Sequence, residues 1–367
     1  MSVWRFLSPL KKLDWLLLAV AIFLVVLGLT ALYSVSLSLA GNSFFNFQKQ
    51  IIFFLIGLIL FFLVCFVNYK IFKSLSGPIY LLAVILLVGV LFFGRTIRGT
   101  TGWFDFGFFN LQPVEFAKLA LIVFLGKYFS DRRETYDLRH LMITGLAAVI
   151  LIALVFLQPD LGSALVLLLL WLGLLLVLGA KRLHLLSLVL LICLLSVMAW
   201  FFVLEDYQKD RLITFVSPAA DPLGIGYNIK QSIIAIGSGR LWGQGLSFGS
   251  QSQLKFLPES QTDFVFAVIA EELGLLGVVL VLVLWAVIFY RLIKAARQTS
   301  DDFGSIIIIG LVILLVIQVF INIGTNLGLV PVTGISLPLV SYGGSSLIIF
   351  LVMIGLAQSV IIRGRGR

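Results

Sequence analysis

Apolar runs long enough to cross a bilayer recur along the whole 367-residue chain. That recurrence constrains the fold more than any single motif. About 20 apolar residues in a helix cross ~30 Å of hydrocarbon. Runs of that order fall near 14–34, 48–67, 79–94, 113–129, 141–157, 161–179, 184–204, 264–290, 303–324 and 342–362. With 61% of residues hydrophobic and 12% charged, the chain cannot furnish the polar exterior of a water-soluble domain. The composition therefore predicts an all-α, polytopic integral membrane protein with ten transmembrane helices. No long repeat divides it, so 1–367 is read as one domain. The run from Trp15 to Tyr33 is too long for a signal-peptide core and lacks a small-residue cleavage site, so it counts as the first span.

Lys and Arg in the short loops set the orientation. With the N-terminus inside, the cytoplasmic face receives 17 basic residues, among them Lys11, Lys12, Lys127, Arg132, Arg291, Arg297 and Arg363. Short loops on the opposite face hold only Lys49, Arg95 and Arg98. Both termini are thus expected in the cytoplasm. The net charge of +9 follows this asymmetry and calls for no nucleic acid. Cys65 and Cys193 fall in separate apolar runs, as packing residues do.

The one extended hydrophilic stretch, 205–262, then faces outward as a large extracellular loop between the seventh and eighth spans. It carries five basic and five acidic residues, so it is not a polybasic lipid-binding arm. Its aromatic and aliphatic content predicts folded structure lying on, or dipping into, the outer leaflet. The loop ends at Thr262-Asp263-Phe264, where water meets the next apolar run. Asp263 there is either a helix N-cap or a partly desolvated functional acid.

Other polar residues stand where they are expensive. Charges within spans cost about 2.5–3.5 kcal/mol each. Glu115 and Lys118 share one helix face at i, i+3, either as a self-neutralising pair or as a cavity wall presenting an ammonium. Asp160, in the turn Gln158-Pro159-Asp160-Leu161-Gly162, is either a helix cap or a second acid on the Asp263 side. Glu271 and Glu272 read as structural, beside a helix break near Gly274. His140 and His184 lie at cytoplasmic edges, and no HExxH, zinc, GxSxG or P-loop pattern occurs. Under this topology, carboxylates are the bases left to the outer face.

The segment Asn322-Ile323-Gly324-Thr325-Asn326-Leu327-Gly328-Leu329-Val330-Pro331-Val332-Thr333-Gly334, continuing to Ser341-Tyr342-Gly343-Gly344, resembles the signature of the SEDS family (shape, elongation, division and sporulation). Gln112-Pro113-Val114-Glu115, the Gln158–Gly162 turn, Asp221-Pro222-Leu223-Gly224 and Leu257-Pro258-Glu259 extend the likeness over nearly the whole chain. Gln251-Ser252-Gln253-Leu254 and Pro331-Val332-Thr333-Gly334 resemble the RodA branch, of cell elongation, more than the division-specific FtsW branch. The resemblance implies ten spans in a bacterial cytoplasmic membrane. It also implies a peptidoglycan glycosyltransferase that joins lipid II outside the membrane, working with a class B penicillin-binding protein and other elongation-complex membrane proteins.

Carried over by position, Asp263 matches the family's essential acid, and Glu115, Lys118 and Asp160 match polar residues of the central cavity. Such chemistry needs a base for the attacking hydroxyl, assigned to Asp263. It also needs positive charge for the departing diphosphate, from Lys118, Arg95, Arg98 or Arg211, or from a divalent cation (Mg or Mn) for which the sequence identifies no site. Two departures stand out: Gln261 replaces a common histidine, and Arg240 replaces a common glycine, adding a cation that joins the candidates for substrate contact. Intramembrane polar residues and interrupted helices also describe a lipid II flippase or other transporter. A scaffold of a cell-wall complex is the third reading.

Overall fold

The computed structural model describes residues 11–38, 43–97, 99–132, 138–202, 204–217, 221 and 224–364. The helices α1 (Trp15–Leu37), α2 (Phe45–Phe66), α3 (Lys70–Ser74) and α4 (Ser76–Phe93) come first. A sheet of β1 (Arg95–Ile97), β2 (Thr100–Asp105) and β3 (Asn110–Leu111) follows. Then come α5 (Pro113–Ser130), α6 (Leu138–Phe156), α7 (Leu161–Val177) and α8 (Arg182–Phe202). The polar stretch folds as α9 (Asp206–Val216), α10 (Ile225–Ser238) and α11 (Ser250–Gln253). Last are α12 (Val265–Gln298), α13 (Asp302–Asn326) and α14 (Gly344–Gly364).

Eight of these helices are long and apolar enough to cross a membrane. Two others fill places where the apolar runs predict spans. The α5 helix carries Glu115, Lys118 and Lys127, and α7 is an apolar helix of 17 residues. Local sequence starts several of them. Asp14, Asp160 and Asp301 accept from Leu17 N, Ser163 N and Gly304 N at 3.1, 2.9 and 3.0 Å, capping α1, α7 and α13. Pro113 opens α5, where a missing N–H costs nothing.

The sheet departs from the all-helical expectation. Its strands are antiparallel in the order β1-β2-β3, with Arg95 opposite Trp103 and Asp105 opposite Asn110. Thr96, Thr100, Thr101, Trp103 and Phe104 favour extended chain, and six residues in the longest strand are too few to read as a span.

Helices α5 and α13 stand centrally. The first packs on α4, α6, α13 and α14, and the second on α5, α7, α12 and α14. The α8 helix lies at the edge, with no buried residue. It is apolar all round, as a helix surrounded by acyl chains must be.

Contacts at the ends of the helices define two faces. On one, Arg291 pairs with Asp14 at 2.6 Å, Gln358 donates to Asp14 O at 2.8 Å, and Arg363 donates to Cys65 O and Phe66 O. The sheet and α9 to α11 lie on the other. The Asp14–Arg291 pair also gives α1 and α12 a common zero of depth. Ser34 is 20 residues beyond Asp14 and Glu272 is 19 residues before Arg291. At 1.5 Å per residue along the unbroken α1, Ser34 stands about 30 Å from that zero, and Glu272 shares its level through a hydrogen bond to it.

Gly28, about 21 Å along α1, leaves no room for a Cβ beneath the Val340 carbonyl, and Ser341 Oγ donates to Thr262 O at 2.6 Å. Asp263 therefore lies deeper than Glu272, and the first leg of α12, 265–273, climbs outward. At Gly274 (φ 66°, ψ −160°) the helix breaks, and the second leg descends.

Candidate functional site

A cavity of about 330 Å³ opens on the sheet-bearing face. Asp263 and Asp160 line it, together with Lys49 of α2, Arg211 of α9 and Trp103 of β2. Gly334 and Gly343 of the α13–α14 connection and Gly344, the first residue of α14, add to the wall.

The main chain at Asp263 is clamped from α13. Asn322 Nδ2 and Asn326 Nδ2 donate to the Asp263 carbonyl at 3.0 and 2.9 Å. Asn322 Nδ2 also donates to Ile335 O at 2.8 Å, and Asn326 Oδ1 accepts from Ala267 N at 3.1 Å. Tyr342 N donates to Gln261 O at 2.9 Å. Phe264 stands at the N-cap position of α12 and makes no side-chain cap bond; Asp263, one residue earlier, lines the cavity. Asp160 is both things at once, a cap bonded to Ser163 N and a cavity acid.

The segment after α13 builds the rest. Gly328 and Gly334 take φ of 71° and 73°, which glycine adopts without strain. Pro331 O accepts from Thr325 Oγ1 at 3.2 Å. Ser345 Oγ accepts from Gln112 N and donates to Asn110 O, tying α14 to the sheet.

A family model described as cell cycle protein, covering the FtsW, RodA and SpoVE proteins, matches residues 14–364. The chain belongs to this family. It is 36% identical over 364 residues to the peptidoglycan glycosyltransferase MrdB of Escherichia coli K12, covering 96% of each chain. It is 38% identical over 357 residues to the stage V sporulation protein E of Bacillus subtilis, covering 95% of this chain and 96% of that one. The crystal structure of the Thermus thermophilus rod shape determining protein RodA superposes with a TM-score of 0.72 at 30% identity, over 97% of this chain and 98% of that one. A chain from a structure on the coordination of polymerization and crosslinking by a peptidoglycan synthase complex gives 0.80 at 33% identity, over 97% and 99%.

Both departures from the FtsW, RodA and SpoVE pattern now have a place. Gln261 Oε1 accepts from Asn46 Nδ2 at 2.7 Å, so this side chain fastens the loop to α2. Arg240 has φ 49°, a left-handed conformation that suits the glycine which the resemblance leads one to expect there. It lies away from the cavity, in a second recess with Gly237, Trp242 and Gln244.

Two expected cations, Lys118 and Arg95, do not line the cavity. Lys118 Nζ bonds Glu115 Oε1 at 2.8 Å, with the two side chains 1% and 7% exposed. Neither lines the cavity; i, i+3 spacing on one face turns the ammonium to its own helix's acid. Arg95 pairs with Asp105 on the exposed sheet. The Gly107 amide and then Arg95 hold the Asp105 carboxyl below its ordinary range. Arg98 lies outside the described residues. Lys49 and Trp103 line the cavity without belonging to the residues that the sequence singles out. A signal existed for Lys49, as one of the few cations on that face, whereas Trp103 reaches the cavity only through strand pairing.

Glu271 and Glu272 are structural, as expected. Glu271 accepts from Gln251 N and Ser252 N at 2.7 and 3.0 Å, and Glu272 from the Ser34 hydroxyl and Ser247 N. Across the Gly274 break, the Glu271 and Glu272 carbonyls accept from Gln244 N and Gly245 N at 2.9 and 3.0 Å. Leu275 N and Leu276 N donate to Arg240 O and Leu241 O. The loop thus satisfies backbone groups that a helix break would otherwise leave orphaned in an apolar setting.

Proposed function

We propose that this protein is a RodA-type peptidoglycan glycosyltransferase that polymerises lipid II on the outer side of a bacterial cytoplasmic membrane. In this reading the chain crosses ten times with both termini in the cytoplasm, the cavity faces outward, and a class B penicillin-binding protein crosslinks the product. One observation carries it: a cavity-lining carboxylate, Asp263, on a main chain clamped by two asparagines, shares its cavity with Lys49 and Arg211.

The acceptor sugar hydroxyl is a poor nucleophile, and the Asp263 carboxylate takes its proton as the new C–O bond forms. The bond from the anomeric carbon to the diphosphate breaks, and its electron pair leaves with the lipid diphosphate. Lys49 and Arg211 meet the charge that develops there. A single displacement inverts the anomeric centre, turning an α-linked diphosphate into a β-linked glycan. Among the described residues, no three His, Cys, Asp or Glu side chains group closely enough to hold a metal ion.

The test is incubation of purified protein and its penicillin-binding partner with lipid II, resolving products by length. Wild type is expected to give glycan ladders and Asp263→Asn none at equal expression. Ladders from Asp263→Asn would remove the base. Accelerated lipid II crossing of liposomes without ladders would make the protein a transporter.

A further inference from the structure

Residues 240–248 form an exposed apolar loop fastened to the α12 break. Leu241, Trp242, Leu246 and Phe248 are 60%, 79%, 51% and 76% exposed, and Arg240 stands exposed at the start of the loop. Four large apolar side chains within eight residues make a patch that a water-facing loop would not keep.

The depth of this loop identifies what covers it. Its backbone bonds go to Glu271, Glu272, Leu275 and Leu276. Gly243 sits so close to the Glu272 carbonyl that a Cβ would come within 2.1 Å of it. Glu272 and Ser34 lie about 30 Å from the Asp14–Arg291 level, one hydrocarbon thickness. Exposed aromatic residues mark both levels, Trp15 and Tyr290 at one and Tyr33 at the other, as they do at membrane–water boundaries. Below the loop, the exposed residues Leu275, Leu276 and Val279 continue its apolar surface down α12.

We infer that residues 240–248 are a leaflet anchor: Leu241, Trp242, Leu246 and Phe248 enter the phospholipid leaflet on the sheet-bearing side, and Arg240 meets headgroup phosphate. An arginine with its neighbours in hydrocarbon and its own head at phosphate level follows the usual division of such side chains. The anchor grips the break at Gly274, from which the first leg of α12 descends to Asp263. It therefore ties the depth of that acid to the membrane surface.

Wild type and Trp242→Phe, reconstituted in phosphatidylcholine–phosphatidylglycerol vesicles, give the Trp242 emission by difference. That emission is expected to be quenched by lipids brominated near the headgroup end of the acyl chain, and little by aqueous acrylamide. Arg240→Glu should move it toward acrylamide accessibility, and Phe248→Ser offers a second variant free of tryptophan loss. Strong acrylamide quenching without bromolipid quenching would overturn the anchor. So would shielding from acrylamide that arises only when a penicillin-binding protein is added, since the patch would then be a protein contact.

Discussion

Asn322 holds two separate carbonyls with one amide, that of Asp263 at 3.0 Å and that of Ile335 at 2.8 Å. It joins the start of α12 to the wall built by the α13–α14 connection. Asn322 does not itself line the cavity and acts by placing Asp263.

Asn322→Ala is expected to lower kcat on the order of 10²-fold with KM for lipid II little changed, as misplacement of a reacting group does. Steady-state kinetics of polymerisation give the split. A loss of stability with kcat intact would make the residue purely structural.

Lys118 and Glu115 form a buried pair, and breaking one partner leaves the other charge without compensation. Lys118→Ala is expected to cost about 3–5 kcal/mol, while Glu115→Leu with Lys118→Met recovers most of it. Thermal unfolding in detergent measures both. An unchanged unfolding temperature together with lost activity would return Lys118 to the cavity.

Lys49 stacks over the Phe45 ring at 4.2 Å while lining the cavity. Lys49→Ala is expected to raise KM for lipid II about tenfold, which is about 1.4 kcal/mol, and Lys49→Arg to restore it. Titrating lipid II against both variants checks this.

Gly274→Ala places a Cβ 2.3 Å from the Gly243 amide nitrogen at a φ of 66°. Backbone strain of about 1–2 kcal/mol adds to an overpacking cost of about 1–3 kcal/mol. The expected result is poor yield and a lowered unfolding temperature.

Asp105 sets the acid behaviour of the sheet. Its carboxyl lies below the ordinary 3.8 because the Gly107 amide and Arg95 favour the charged form. A depressed pKa contributes stability in full above the unfolded value and loses it as pH falls through the folded one. Protection factors for amide exchange over 100–111, taken relative to the intrinsic rate at each pH, should hold from neutrality to about pH 5 and fall only in stronger acid. Loosening near neutral pH would implicate another group.

Much of this was legible from the chain. Apolar runs marked the helices, because hydrocarbon admits few polar side chains. The expected break at Gly274 is there, and the acids beside it serve structure. Asp263 stood out because an acid at a water–membrane junction is costly. The destination of a cation was not legible. Lys118 could be read either as Glu115's partner or as a cavity cation, and only the packed structure turns it to its own helix and brings Lys49 to the cavity.

The sequence by itself determined which segments form long apolar helices and which acid ends the polar loop, since hydropathy and turn chemistry act over a few neighbouring residues. Only the tertiary structure decided that Lys49, Trp103, Asp160, Arg211 and Asp263 share one cavity, and that α12 climbs before it descends. Those outcomes depend on hydrogen bonds between residues far apart in the chain, such as Ser34 with Glu272 and Asn322 with the Asp263 carbonyl. No local pattern encodes such pairings.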